Sequence, residues 1–300
     1  MALRDTLRAL TPGFLLRWYR NRKKESARAV IAEQRSRGEG WSTADLLKQL
    51  HTAGIKEGDT LLVHSSLSKI GYVKGGPQTV VDTFLAAVGK TGHILMPNSP
   101  NAGYQLDYIR SLDVFDLQNS PSALGAITET FRTQTGAIRS VSATEPVSCI
   151  GPEAEWYTSG HFGKQTPYTS DSPFFRVAES GGKILYVGVT LANAGTSLHL
   201  LEDAVNDFPY PVYYPELFDV KVRLTDGSEH KVQTRVHNPE QSAKRKCDDL
   251  IPLFEREGAL QKIHFGNAPT LLLDARRMLE VMLEHFYEAG VTMYTPFGSK

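Results

Sequence analysis

Two stretches of the sequence carry residue types that can do chemistry. The first is Thr196-Ser197-Leu198-His199-Leu200-Leu201-Glu202. On a helix, His199 and Glu202 share a face, so the carboxylate can orient the imidazole and raise its basicity. Thr196 and Ser197 would stand at the helix start, where hydroxyls and free N–H groups can stabilise a developing oxyanion. The same spacing is common on solvated helix faces, and by itself it leaves both readings open. A metal site is set aside, because the second His that a zinc-binding helix carries four residues on is missing.

The second stretch is Val63-His64-Ser65-Ser66-Leu67-Ser68, followed by Gly71 and Gly75-Gly76. A strand that runs out into hydroxyl residues and glycines presents backbone N–H groups able to bind phosphate or an oxyanion. His64 can equally be a core histidine bonded to backbone. The pattern matches neither the P-loop nor the dinucleotide fingerprint. There is no G-x-S-x-G elbow, and Cys149 and Cys247 sit in no nucleophile motif, so direct transfer is simpler than a covalent enzyme intermediate. The two cysteines read as buried thiols, too few for a disulfide framework.

These groups need elements to hold them. Ser42 is a plausible N-cap for a helix over 43–53, in which Leu46, Leu47 and Leu50 recur at helical spacing. Apolar runs predict strands over 60–63, 93–96, 183–189, 220–224, 231–236 and 270–274, and helices over 77–88, 125–134, 197–205 and 275–288. The alternation predicts an α/β fold: a mixed β-sheet flanked by helices, forming a single main domain over 36–300. Segments 97–121 and 151–173 read as loops that wall a substrate site.

Composition limits the partners. The 33 basic residues equal the 33 acidic ones over 300 residues, so no net field attracts nucleic acid. No apolar run approaches membrane-spanning length and no signal-peptide pattern opens the chain, which predicts a cytoplasmic protein. Residues 1–35 form a basic amphipathic arm, with Arg17, Arg20, Arg22, Lys23 and Lys24 beside Leu15, Leu16 and Trp18. Such an arm can rest on the inner face of an anionic membrane, or pack on its own domain or on a second copy in a homodimer.

Taken in order, several segments resemble the aminoglycoside 3-N-acetyltransferase family. They are the run Gly58 to Leu67, Gly75-Gly76 through Gly89, Met96-Pro97, Pro121-Ser122-Ala123-Leu124-Gly125 with Glu129 and Arg132, Arg139-Ser140, Gly151-Pro152, Asp171-Ser172-Pro173 and Thr196 to Glu202. The resemblance covers about Trp41 to Ala289. It implies acetyl-CoA, or another acyl-CoA, bound near His64, Ser65, Ser66 and Leu67 and the loop from Ser122 to Gly125. It also implies an acceptor amine between those loops and His199. His199 would be the general base, Glu202 would hold its ring, and Thr196 would stabilise the tetrahedral oxyanion. One departure stands out: Ser142 and Ala143 replace the family's usual His-Pro pair, so the acceptor site is expected to differ. Asp107, Glu145 and Asp171, with Asp113 and Asp116, are the loop carboxylates able to meet an amine. The departure and the basic arm together point to an amino sugar of a surface-polysaccharide pathway. Acetylation of an aminoglycoside antibiotic, giving resistance, and a non-catalytic sugar- or CoA-binding homologue are the alternatives.

Overall fold

The computed structural model describes residues 31–299, together with 22, 25, 26 and 29. Most of the basic arm expected over 1–35, including Arg17, Trp18, Arg20, Lys23 and Lys24, lies outside the described residues.

Period-two alternation gives the central sheet two buried faces. In β1 (Thr60–Ser65), Leu61 and Val63 point into a cluster with Leu46, Val80 and Phe84, whereas Leu62 points into a second cluster with Tyr157, Phe174 and Tyr186. A strand buried on both sides needs helices on both sides. On the first face lie α1 (Thr43–Thr52) and α2 (Pro77–Val88). Ser42 and Asp45 start α1 as a capping box, and Pro77 opens the first turn of α2. On the other face α4 (Pro173–Glu179) packs against α6 (Ala275–Ala289), bringing Phe174 and Val177 together with Met278 and Met282. Between these helices in the chain come α3 (Ala126–Arg132) and α5 (Leu200–Ala204).

The remaining strands are β2 (His93–Pro97), β3 (Val114–Asp116), β4 (Ile138–Arg139), β5 (Val147–Ile150), β6 (Lys183–Val187), β7 (Phe218–Arg223), β8 (Glu229–Thr234), β9 (Leu260–Phe265) and β10 (Ala268–Asp274). The main sheet has seven strands in the order β4-β5-β2-β1-β6-β10-β9, and a second sheet pairs β3-β7-β8. Within the main sheet β2, β1 and β6 run parallel and the strands outside them pair antiparallel; in the second sheet β3 runs parallel to β7, and β8 antiparallel to it. The fold is therefore mixed α/β, as the alternation predicts. The small sheet carries its own core of Phe115, Val220, Val222 and Val236.

The two segments read as loops contain structure. Segment 97–121 holds a helix, Gln105–Ser111, and the strand β3, and segment 151–173 holds a helix, Ala154–Ser159. These helices are too short to show a helical period, and β3 is three residues long. Strands β4, β5 and β9 also escape the pattern reading. β4 has two residues, and β9 is an edge strand in which Gln261, Lys262 and His264 break the apolar run. Among the described residues no helix is long and apolar enough to cross a membrane.

Candidate active site

Three parallel strands bring their carboxyl ends to one edge of the sheet. From β1 the chain crosses to β2 on one side, and later returns as β6 on the other, so a crevice opens above β1. A cavity of about 590 Å³ fills this crevice, within the range of small-molecule sites. Its near wall is Val63, His64 and Ser65 from β1, Pro97 from β2, and Val189 just beyond β6. Gly188 makes the turn that admits Val189. Its φ is 66°, and a Cβ there would stand 2.3 Å from Cβ of Lys69. The far wall presents Glu145, Tyr168, His199, His237 and Arg245.

The helix expected over 197–205 is shorter and begins differently. A 3-10 turn, Thr196–His199, leads into α5. The tighter turn still brings the dyad together: Nδ1 of His199 lies 2.7 Å from Oε2 of Glu202, with side chains 7% and 0% exposed. A carboxylate can only accept, so Nδ1 carries the proton and Nε2 is the basic nitrogen. The phenol of Tyr294 donates to the other oxygen, Oε1, at 2.7 Å. Nε2 of His237 stands 3.4 Å from Oε2 without hydrogen-bond geometry. The His237 ring lies 4.2 Å from that of His199, and Tyr168 covers His199 at 4.9 Å between centroids.

Burial sets the charge states. It pushes His199 down to about 3, against the pull of Glu202, so the ring is neutral at neutral pH. Burial alone would raise Glu202, but the facing His199 and His237 more than offset it and hold the group well below the usual carboxylate range. With His199 neutral, that support comes from its N–H and the Tyr294 hydroxyl, and the pair is a carboxylate with a neutral imidazole. His64 is also held down to about 3 by burial. Parallel pairing places it opposite Tyr186, and the rings stack at 4.8 Å. Thr196 Oγ1 lies 3.4 Å from its Nε2. Burial raises Glu145 to about 7, although Gln105 donates to it at 2.7 Å and Arg245 acts to lower it.

His64, Ser65, Glu145, Thr196 and His199 all line the cavity, and Glu202 stands directly behind His199. Ser66, Leu67, Ser122 and Gly125 are not on its wall, although Leu124 and Thr128 are. Ser122 instead fastens its loop to α3: its N–H donates to Glu129 Oε2, and its hydroxyl meets Thr128. Asp107 is exposed, and Asp171 pairs with Lys164 at 2.8 Å. Asp116 binds Arg223. Ser142 accepts from the N–H of Glu145, and Ala143 is buried in the small core. Sequence reading misses Tyr168, His237, Arg245 and Tyr294, because each comes from a distant segment and belongs to no spacing motif. His237 also supplies the second imidazole that the helix lacks, so His199, Glu202 and His237 form a set that could hold a cation by residue type. The carboxylate oxygens are committed to His199 and Tyr294, which suits a proton relay better.

Fold and site together define an α/β protein with an acid–base cavity at the carboxyl ends of its parallel strands. Within that class the chain belongs to the aminoglycoside 3-N-acetyltransferase family, whose model matches residues 62–287. Aminoglycoside N(3)-acetyltransferase VIII of Streptomyces fradiae is 32% identical over 170 residues, covering 52% of this chain and 59% of that one. Aminoglycoside N(3)-acetyltransferase III of Salmonella sp is 34% identical over 177 residues, covering 55% and 60%. The chain thus spans about three fifths of the length of these curated relatives. The structure of AAC-VIa bound to sisomicin superposes with a TM-score of 0.68 at 27% identity, over 83% of this chain and 98% of that one. AAC-IIIb, solved as a binary complex with CoASH, shares the fold at a TM-score of 0.70 and 23% identity, over 83% and 98%.

Proposed function

We propose that this chain transfers an acetyl group from acetyl-CoA to an amine of an amino sugar, with His199 as general base. The observation that carries the reading is a neutral imidazole on the cavity wall, held by a buried carboxylate at 2.7 Å. Family membership and the relatives' printed activities support it. In this reading the amine attacks the thioester carbonyl as Nε2 of His199 takes its proton. The carbonyl electron pair moves to oxygen, where Thr196 is the candidate donor. Collapse of that intermediate expels the CoA thiolate, which recovers the proton as the thiol. Glu202 stabilises the imidazolium between the two steps. The unit that carries the activity is residues 36–300.

Thiol release from acetyl-CoA with a panel of amino sugars and aminoglycosides tests the proposal. His199→Ala is expected to lower turnover by roughly 100- to 10,000-fold while coenzyme A affinity, read by calorimetry, changes little. Retained turnover removes His199 from the role. Coenzyme A binding without thiol release for any acceptor would favour the non-catalytic homologue.

A further inference from the structure

One group on the cavity wall has no part in acyl transfer as proposed. Nε and Nη2 of Arg245 are buried and have no partner in hydrogen-bond geometry; the neighbouring Tyr294 hydroxyl, which interacts with the guanidinium, gives its own proton to Glu202. Guanidinium is all donors, five in a planar fork, and burying it without acceptors is unfavourable unless something arrives to accept them. The carboxylates around it are engaged elsewhere: Glu202 accepts from His199 and Tyr294, and Glu145 from Gln105. The wall's charge balance bears on the occupant. Among the described residues lining the cavity, Arg245 is the one Lys or Arg and Glu145 the one Asp or Glu. A polycationic acceptor calls for several carboxylates facing it, yet Asp107 and Asp171 stand off this wall.

We infer that the acceptor amino sugar carries an anionic substituent, a carboxylate or a phosphate, which the Arg245 fork receives, in place of a set of further amines. This rests on the acyl-transfer reading and names the substrate class of the same cavity. Arg245 and His199 line the same cavity, so an anion held by the guanidinium shares that cavity with the reacting amine. Bidentate acceptance by a carboxylate or phosphate would satisfy the orphaned donors and fix the sugar's orientation toward Nε2 of His199.

The test measures thiol release by the full chain with glucosamine, glucosamine 6-phosphate, 2-amino-2-deoxyglucuronic acid and kanamycin. At least one acidic sugar is expected to exceed glucosamine in kcat/KM by roughly 10- to 100-fold, the scale of a charge-assisted hydrogen-bond pair. Whichever acidic sugar leads identifies phosphate or carboxylate. Arg245→Gln is expected to bring the ratio to within about twofold of one, and Arg245→Lys to keep part of it, since a point charge lacks the fork. A ratio near one in the native chain, or a preference for kanamycin, overturns the anion site and leaves acyl transfer standing. So does an unchanged ratio in Arg245→Gln with weakened coenzyme A binding, which would assign the guanidinium to the donor. If no acceptor releases thiol, acyl transfer itself fails. Calorimetric binding of the two acidic sugars to the native chain and to Arg245→Gln then decides the anion site alone: binding lost in the variant supports it, and equal or absent binding overturns it.

Discussion

The His199 imidazole is kept neutral by its surroundings. Burial lowers it to about 3, although Glu202 acts to raise it. An ordinary histidine titrates near 6.5, so a turnover number limited by its neutral form would fall about tenfold by pH 5.5. Here kcat with a saturating acceptor is expected to show no inflection near 6.5, because the ring is already deprotonated throughout that range. Deprotonation of the bound amine then sets the acid limb, and that limb should move with the acceptor's own pKa. Two acceptors of different amine pKa decide the matter. A common inflection at 6.5 in both profiles would show that His199 titrates normally in the complex.

At the scale of elements, the cavity depends on how the parallel strands end. Gly188 closes β6 in the left-handed region at φ 66°, with the Lys69 side chain packed where a Cβ would stand. An added methyl group therefore meets both backbone strain and a close contact. Gly188→Ala is expected to destabilise the chain by about 2 to 3 kcal/mol, read as a shift in the urea midpoint without a change in slope. Because Val189 lines the cavity, turnover should fall as well. An unchanged midpoint would show that the turn relaxes at little cost.

The molecule as a whole buries several histidines as neutral rings. His64 and His199 are held down to about 3 and His161 to about 4, each chiefly by burial. A depressed folded value means that the unfolded chain binds more protons, so stability is complete above about 6.5 and is lost as pH falls toward the folded values. Between pH 7.5 and 5.5 each of the three rings contributes a loss of about 1.4 kcal/mol. Glu145 acts in the opposite sense: its folded value is raised to about 7, so it gains stability as pH falls through 7, by about 2 kcal/mol over the same window. The net expectation is a loss of about 2 kcal/mol by pH 5.5, measured by urea unfolding at the two pH values. Equal stability at both would mean that the rings protonate without unfolding.

How much of this was legible beforehand depends on the range of the interactions. Helices α1, α2 and α6 and strands β1, β2, β6 and β10 follow from local periodicity and capping, and so does the pairing of His199 with Glu202 within a single turn. The ordered motifs from Gly58 to Glu202 were enough to suggest the family. Short or interrupted strands such as β4, β5 and β9 are held by their partners across the sheet, and no local pattern announces them. The same holds for the far wall of the cavity. Tyr294 reaches Glu202 from beyond α6, and His237 and Arg245 come from the segment after β8. Asp107 and Asp171 look as suitable in the sequence as Glu145, yet only Glu145 faces the cavity. The sequence by itself determined the dyad, the periodic elements and the likeness to a family, because those are written in neighbouring residues. Only the tertiary structure decided which carboxylate and which cation face the cavity, because burial and orientation there are set by chain segments that have no contact until the sheet is assembled.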